Sequence, residues 1–308
     1  MVEPCHTGRM NDPRPEPQDF DDFWGDMAAR SRSMAPESRR SSGGIDGADI
    51  VRFTSLGGVR LGGWLVLPEG EVTSAVIVAH GYGGRNSLDA EWAPAGAAVF
   101  YPVARGLPTL STVEGIPGFS KEHVLHGIGS RETYVHGGCA ADVWCAVSAL
   151  EEVLGRALGA SQGGLRLGYF GPSFGGGIGA MAVPWDDRID AASLYVPSFG
   201  AHVARLAEPS VGSGSALAQW VEHHPEAWSV LDYFDAAASA RRLKVATIVA
   251  PAAEDPSVPP VGQRAIADAV PREHRTVMPM TAGHLEYPEK DAEMAAYAEA
   301  TRRLFAGV

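Results

Sequence analysis

Residues 165–175 read LRLGYFGPSFG. The first six residues have the length and apolar content of a strand, and a glycine-rich stretch with helical character follows at residues 176–183. The pentapeptide between them, Gly171-Pro172-Ser173-Phe174-Gly175, is therefore predicted to form a tight strand-to-helix turn. Glycines two residues before and after Ser173 leave room for the backbone to cross at such a turn.

A turn of this kind lifts the Ser173 hydroxyl above the edge of a sheet. It also places the hydroxyl at a helix N-terminus, where backbone N–H groups face developing negative charge. The pattern G-x-S-x-G between strand and helix therefore predicts a nucleophilic serine. The alternative is an ordinary glycine-rich turn. A phosphate-binding loop would need a lysine after its second glycine, and none follows here.

The strands around this turn predict the fold class. Continuous apolar runs at 75–79 and 97–101 are typical of strands covered on both faces. We expect four more strands and five helical stretches to alternate along the chain, and an antiparallel hairpin near the N-terminus. The predicted strands are 165–170, 191–196, 245–250 and 275–280, the hairpin is 50–55 with 60–67, and the helical stretches are 134–157, 174–183, 215–240, 260–269 and 289–306. This order predicts an α/β fold with a mostly parallel central sheet and helices on both faces.

The chain is expected to divide into an N-terminal segment and one larger domain. Four prolines within residues 1–17 disfavour regular helix, whereas 19–34 has helical spacing of aromatic residues. We predict that residues 1–44 form a leader and a helix packed on the core, and that 45–308 form a single domain. Residues 104–133, rich in glycine and proline, form an irregular excursion of the kind that often carries function.

A serine nucleophile needs a base, and the base needs an acid to orient it. Asp255 follows the predicted strand 245–250, and His284 follows the strand 275–280, so both lie where parallel sheets hold their sites. Glu254 and Glu286 are the alternative acids, but an Asp-Pro step favours the turn that aims Asp255 at the next loop. The remaining histidines that we considered read as structural or solvated residues: His123, His126, His136, His223 and His224.

Two backbone N–H groups would have to stabilise the negative oxygen formed during attack. One is the N–H of Phe174, directly after the serine. The other comes from the loop after an early central strand, here His80-Gly81-Tyr82-Gly83-Gly84, where Tyr82 is the donor by position. Losing one such donor typically costs a factor of about 10²–10³ in rate. The loop is therefore expected to matter as much as the residues that flank the triad.

Composition limits the partners. The 308 residues include 25 basic and 37 acidic ones, a formal net charge of −12, which argues against nucleic acid and anionic membranes. Three widely spaced cysteines do not form a disulfide framework, and no Cys/His pattern predicts a metal site. Neither a secretory signal nor a membrane-spanning run is evident, so a cytoplasmic protein is expected.

Taken together, these motifs resemble the acetyl xylan esterase / cephalosporin-C deacetylase family, carbohydrate esterase family seven of the α/β-hydrolases. The resemblance runs from about residue 17 to 305 and rests on several blocks in order: PQDFDDFW (17–24), LGGWLVLP (61–68), HGYGG (80–84), GPSFG (171–175), Asp255 with PP (259–260), and GH (283–284). It implies a serine carboxylic-ester hydrolase that removes small acyl groups, acetyl first, from a small-molecule ester without a cofactor or metal. The family forms ring-like hexamers, so a homo-oligomer is a further expectation.

The chain departs from the family pattern at some positions. Arg105-Gly106-Leu107 stands where the family has Arg-Gly-Gln, Phe174 replaces a glutamine, and Pro172 is unusual before the serine. We therefore expect Arg105, Leu107 and Pro172 to support the pocket or its loops, with Leu107 and Phe174 making the surroundings of the serine more apolar. Two alternatives remain open at this point. One is an acyltransferase or tailoring enzyme of secondary metabolism with the same triad, and the other is a catalytically silent binding protein.

Overall fold

The computed structural model describes residues 14–307. The predictions that concern residues 1–13, including Pro4, Pro13 and Cys5, lie outside these residues. Eleven strands are present within the described range: β1 Arg39–Ser41, β2 Asp49–Ser55, β3 Val59–Val66, β4 Ser74–Val78, β5 Ala97–Pro102, β6 Arg166–Pro172, β7 Ala191–Tyr195, β8 Ala246–Ala250, β9 Ala252–Glu254, β10 Arg275–Val277 and β11 Met280–Ala282.

Nine strands form one sheet in the order β1-β2-β3-β5-β4-β6-β7-β8-β10. Strands from β5 to β10 are parallel to one another, whereas β1, β2 and β3 pair antiparallel at one edge. The prediction of a mostly parallel sheet with an antiparallel N-terminal hairpin is confirmed. Strands β9 and β11 form a separate parallel pair.

Helices surround the sheet: α1 Phe20–Arg32, α2 Ser120–His123, α3 Val135–Leu154, α4 Phe174–Ala182, α5 His202–Ala207, α6 Ser213–His223, α7 Trp228–Leu231, α8 Ala236–Ala240, α9 Pro260–Ala269 and α10 Lys290–Ala306. The predicted helical stretch 215–240 is in fact three helices. Pro225 and the extended residue Asp235, which caps α8, separate them. The short β1, β9, α2 and α5 were not predicted, because three to six residues carry too little periodicity to detect.

The apolar runs are buried as expected for a covered parallel sheet. All five residues of β4 and all six of β5 are buried. On one face, α1 inserts Phe20, Trp24 and Met27 into the core. The indole of Trp24 donates to the carbonyl of Tyr233 at 2.9 Å, which ties the helix to the segment before α8.

The sheet register brings the loops of the site together. Val78, the last residue of β4, pairs with Phe170, and Pro172, the last residue of β6, pairs with Tyr195 at the end of β7. The loops that follow β4, β6 and β7 therefore leave the same edge of the sheet. Parallel α/β sheets bind their ligands at this edge.

Candidate active site

Ser173 lies on the turn between β6 and α4, as the G-x-S-x-G pattern predicts. Its backbone has φ 51° and ψ −111°, a conformation that costs energy for any residue with a Cβ atom. The turn is held by its backbone: the Ser173 N–H donates to Tyr195 O at 2.8 Å, and Ser173 O accepts from Ser198 N at 3.0 Å. The strained serine is thus fixed by the neighbouring strand and loop rather than free to relax.

Gly175 allows this turn to approach the preceding loop. A Cβ atom at Gly175 would lie 2.8 Å from Ala79 Cβ and 2.9 Å from His80 O. In its absence, the Gly175 N–H donates to His80 O at 3.0 Å. The serine turn and the loop at 80–84 are therefore joined by a direct hydrogen bond.

His284 reaches Ser173 from the other side. Its Nε2 lies 3.1 Å from Ser173 Oγ, and its Nδ1 lies 2.8 Å from Asp255 Oδ2. Asp255 thus occupies the position predicted for the acid. Glu254 is exposed on β9, and Glu286 pairs with Lys290 instead. A Cβ atom at Gly283 would lie 2.2 Å from Asp255 Oδ2, so only glycine permits the carboxylate to sit against this loop.

Further hydrogen bonds hold the carboxylate of Asp255, whose side chain is fully buried. Oδ1 accepts from the N–H groups of Ser257 and Val258 at 2.8 and 2.9 Å, and Oδ2 accepts from Gln263 Nε2 at 3.0 Å. Gln263, on α9, is also completely buried and accepts from Ala252 N. The sequence reasoning missed Gln263. The only signal was a glutamine eight residues after Asp255, on an otherwise apolar face of α9.

The two N–H groups predicted to receive a negative oxygen come from Tyr82 and Phe174. In the described part of the chain, the Tyr82 N–H donates no hydrogen bond to a backbone acceptor, and the Phe174 N–H donates none outside α4. The Tyr82 ring packs on the Phe174 ring at 4.4 Å between centroids. The Tyr82 hydroxyl lies 3.0 Å from His123 Nδ1 and 3.3 Å from His136 Nε2.

His123 and His136 are therefore buried partners of the loop at 80–84. His123 Nε2 bonds Arg105 O at 2.9 Å, which leaves Nδ1 to accept from the Tyr82 hydroxyl. Burial lowers the pKa of both imidazoles, so both are neutral at pH 7. We predicted that these two histidines are structural, and the structure gives them a specific contact: both bond the hydroxyl of Tyr82 and so fix its side chain.

Ser173 and His284 open into a cavity of about 360 Å³. Its walls include Gly81, Tyr82 and Gly83, the loop after β7, and the segment between α5 and α6. Phe174 contributes no side chain to the wall, because its ring is buried against Tyr82 and His80. The apolar surroundings that we expected from Phe174 are thus behind the cavity and not in it.

The three residues expected to support the pocket or its loops do not line this cavity. Arg105 instead bonds Asp142 at 2.7 Å and the hydroxyl of Ser55 at 3.2 Å, so it ties the excursion to α3 and to the end of β2. Leu107 is fully buried in the core, and Pro172 ends β6. None of the three reaches the cavity because the chain turns inward after β5, which the sequence alone does not reveal, but Arg105 does hold the loop that follows β5.

Within residues 14–307, no group of three or more histidine, cysteine or acidic side chains is arranged to hold a metal ion. None of the helices in the same range is long and apolar enough to cross a membrane.

Comparison with known proteins gives the family. The family model described as acetyl xylan esterase matches residues 6–297. The acetyl xylan esterase from Paenibacillus sp. R4 superposes with a TM-score of 0.73 at 23% identity, over 95% of this chain and 98% of that one. Acetyl xylan esterase 1 from Thermoanaerobacterium sp. JW/SL YS485 gives 0.72 at 18% identity, over 92% and 94%.

More distant α/β-hydrolases share the fold. A puromycin hydrolase superposes with a TM-score of 0.60 at 19% identity, but only 39% of its chain is covered. No curated relative matches the sequence. The match of the family model over nearly the whole chain is the finding that decides the assignment: the protein belongs to the acetyl xylan esterase family and is a serine carboxylic-ester hydrolase.

Proposed function

We propose that Ser173, His284 and Asp255 carry out this hydrolysis. The observation that carries the proposal is the continuous chain of hydrogen bonds from Ser173 Oγ to His284 at 3.1 Å and from His284 to Asp255 at 2.8 Å. Ser173 Oγ attacks the ester carbonyl while His284 Nε2 takes its proton. The same imidazole then protonates the leaving alcohol, and an acyl group remains on Ser173.

Hydrolysis of the acyl-enzyme reverses these roles. His284 takes a proton from water, the hydroxide attacks the acyl carbon, and the proton returns to Ser173 as the acid leaves. Asp255 holds Nδ1–H and balances the charge of the imidazolium. The Tyr82 and Phe174 N–H groups donate to the negative oxygen in both steps, which supplies a large part of the rate enhancement.

We propose small acyl esters, acetyl esters first, as substrates. The modest cavity supports this size, since a pocket of about 360 Å³ lies at the small end of ligand sites. The name of the matching family adds acetylated xylan fragments as candidates for the alcohol half. The acyltransferase alternative relied on Leu107 and Phe174 beside the serine, and neither side chain lines the cavity.

Substitution of the nucleophile tests the assignment. Ser173→Ala should lower kcat/KM for para-nitrophenyl acetate by about 10⁴-fold or more and abolish labelling by a fluorophosphonate probe, with an unchanged circular dichroism spectrum. Ser213→Ala is the matched control, because Ser213 also lines the cavity but has no imidazole partner among the described residues. Labelling that persists in Ser173→Ala, or is lost in Ser213→Ala, would contradict the proposal.

We further propose that residues 1–44 are an N-terminal segment that packs on a single domain of residues 45–308 and adds the edge strand β1 to its sheet. The burial of Phe20 and Trp24 and the ion pairs of Arg242 with Glu16 and Asp21 support this division. Deletion of residues 1–44 should expose the apolar surface that Phe20 and Trp24 cover and cause aggregation, measurable by light scattering.

A cytoplasmic location and a homo-oligomeric state complete the proposal. Cys139 and Cys145 are buried free thiols, which suits a reducing compartment. Cell fractionation tests the location, and sedimentation velocity tests the oligomeric state.

A further inference from the structure

The cavity wall contains one positive charge that the mechanism does not use. Arg205, on α5, is only 4% exposed, yet it lines the same cavity as Ser173 and His284. Within residues 14–307, no carboxylate lies within 4 Å of its guanidinium. Its Nη2 atom is buried and makes no hydrogen bond. A buried arginine without a carboxylate is uncommon, because its desolvation is not compensated.

The contacts of Arg205 explain its position but leave its charge unbalanced. Its Nε donates to His202 Nδ1 at 3.0 Å, and its guanidinium lies 5.5 Å from the centre of the Phe199 ring. The nearby Asp235 is occupied by other donors: the N–H groups of Ala201, His202 and Ala237. Burial lowers the pKa of Arg205 to about 10, so the side chain still carries its charge at pH 7.

The backbone before Arg205 is held in costly conformations. Val196, Phe199 and Ala201 have φ values of 40°, 72° and 49°, although none is a glycine. Such strain persists only where the surrounding structure enforces it, and it is concentrated at binding and catalytic sites. This backbone and the bond from Nε to His202 Nδ1 together keep the guanidinium at the cavity.

We propose that Arg205 is a specificity-determining residue that binds a carboxylate of the substrate, so that the preferred ester carries a negative charge close to the scissile bond. This inference rests on the proposed hydrolysis at Ser173. A carboxylate in the cavity would provide the missing charged partner for the guanidinium that lines it, and a charge-assisted bond of this kind is stronger in a dry site than in water. The carboxylate can belong to the alcohol half or to the acyl half of the ester.

Matched ester pairs test both halves. For the alcohol half, para-acetoxybenzoate is compared with its methyl ester. For the acyl half, mono-para-nitrophenyl succinate is compared with its methyl ester. In the parent enzyme we expect kcat/KM to favour the anionic member of one pair by about 10-fold to 100-fold, after correction for the uncatalysed rates. Each comparison is a ratio within one protein, so it does not depend on the folded fraction.

Arg205→Gln should abolish this preference, and Arg205→Lys should restore part of it, because lysine keeps the charge but not the planar geometry. Arg264→Gln is the control: Arg264 is exposed on the neighbouring α9, and its removal lowers the net charge equally. If the parent enzyme hydrolyses the neutral esters but shows no anionic preference in either pair, the inference is wrong while the proposed function stands. The inference is also wrong if Arg205→Gln keeps the preference, because another group would then recognise the anion.

If no ester is hydrolysed, the proposed function fails and binding decides the inference. Calorimetric titration of Ser173→Ala should show tighter binding of the anionic member of one pair than of its methyl ester. The double variant Ser173→Ala with Arg205→Gln should lose that difference. Equal affinities for the two members in Ser173→Ala would overturn the role of Arg205.

Discussion

Arg105 and Arg205 are both largely buried, but their surroundings differ. Arg105 makes several bonds to Asp142, the shortest of 2.7 Å, and donates to Ser55 and Leu56. Although burial acts to lower it, Asp142 raises the pKa of Arg105. Among the described residues, Arg205 has one imidazole partner, bound by Nε, and its buried Nη2 has none. The first arginine belongs to a closed network that holds the excursion, whereas the second faces a cavity with its binding capacity unused.

The difference separates structural from functional charge. In a buried ion pair with complete hydrogen bonding, each charge is balanced within the protein. Removal of either member leaves the other as an isolated buried charge. A buried cation that faces an open cavity receives its partner from outside. Folding energy therefore depends on Arg105, and substrate choice on Arg205.

The largest effect should come from breaking the closed network. Asp142→Ala leaves Arg105 buried without its acid and should lower the free energy of unfolding by about 3–5 kcal/mol. Urea denaturation measures the change. The control is Asp49→Ala, which removes the acid of the exposed pair with Arg40 and should cost at most about 1 kcal/mol. Equal losses in the two variants would show that burial does not distinguish these pairs.

The second largest effect should come from lowering the pH, which destabilises the folded protein through His202, the residue that Arg205 of the cavity wall contacts. Burial and the adjacent guanidinium lower the pKa of His202 from 6.5 to about 4. The unfolded chain therefore binds a proton between pH 6.5 and 4 that the folded chain does not, and stability is lost as the pH falls through this window. The contribution of His202 is about 3 kcal/mol. His202→Gln should flatten the dependence of urea midpoints on pH, and an unchanged slope would contradict this assignment.

The smallest effect should come from removing the unpaired cation. Arg205→Met removes a buried charge that has no carboxylate partner within residues 14–307, so the free energy of unfolding of this variant should stay within about 1 kcal/mol of the parent. The lost bond to His202 offsets part of the gain. A loss near that of Asp142→Ala, measured in the same urea series, would mean that Arg205 serves the fold instead.

The fold was predictable because local signals agreed. Apolar runs such as 75–79 predicted covered strands, and GPSFG together with the order of Asp255 and His284 predicted the chain of hydrogen bonds. These features depend on short stretches whose geometry is dictated by glycine, proline and periodicity.

Other parts of the site depend on contacts between distant residues. Arg205 lies in a six-residue helix with no motif, and its lack of an acid is visible only once the neighbours are placed. The same holds for Gln263 under Asp255 and for His123 and His136 under Tyr82. From the sequence we expected the side chains of Leu107 and Phe174 to lie near the serine. Both side chains are buried in the core instead, and no local sequence pattern predicts this orientation.

The hydrogen bond from Gly175 to His80 has a consequence for protein engineering. It couples the turn of the nucleophile to the loop of the N–H donors, so a mutation that shifts one moves the other as well. New substrate ranges are therefore better sought by randomising residues 211–214, which border the cavity and make no hydrogen bond to the serine turn or to the loop at 80–84. Libraries confined to that stretch should retain hydrolytic chemistry while they change which esters are accepted.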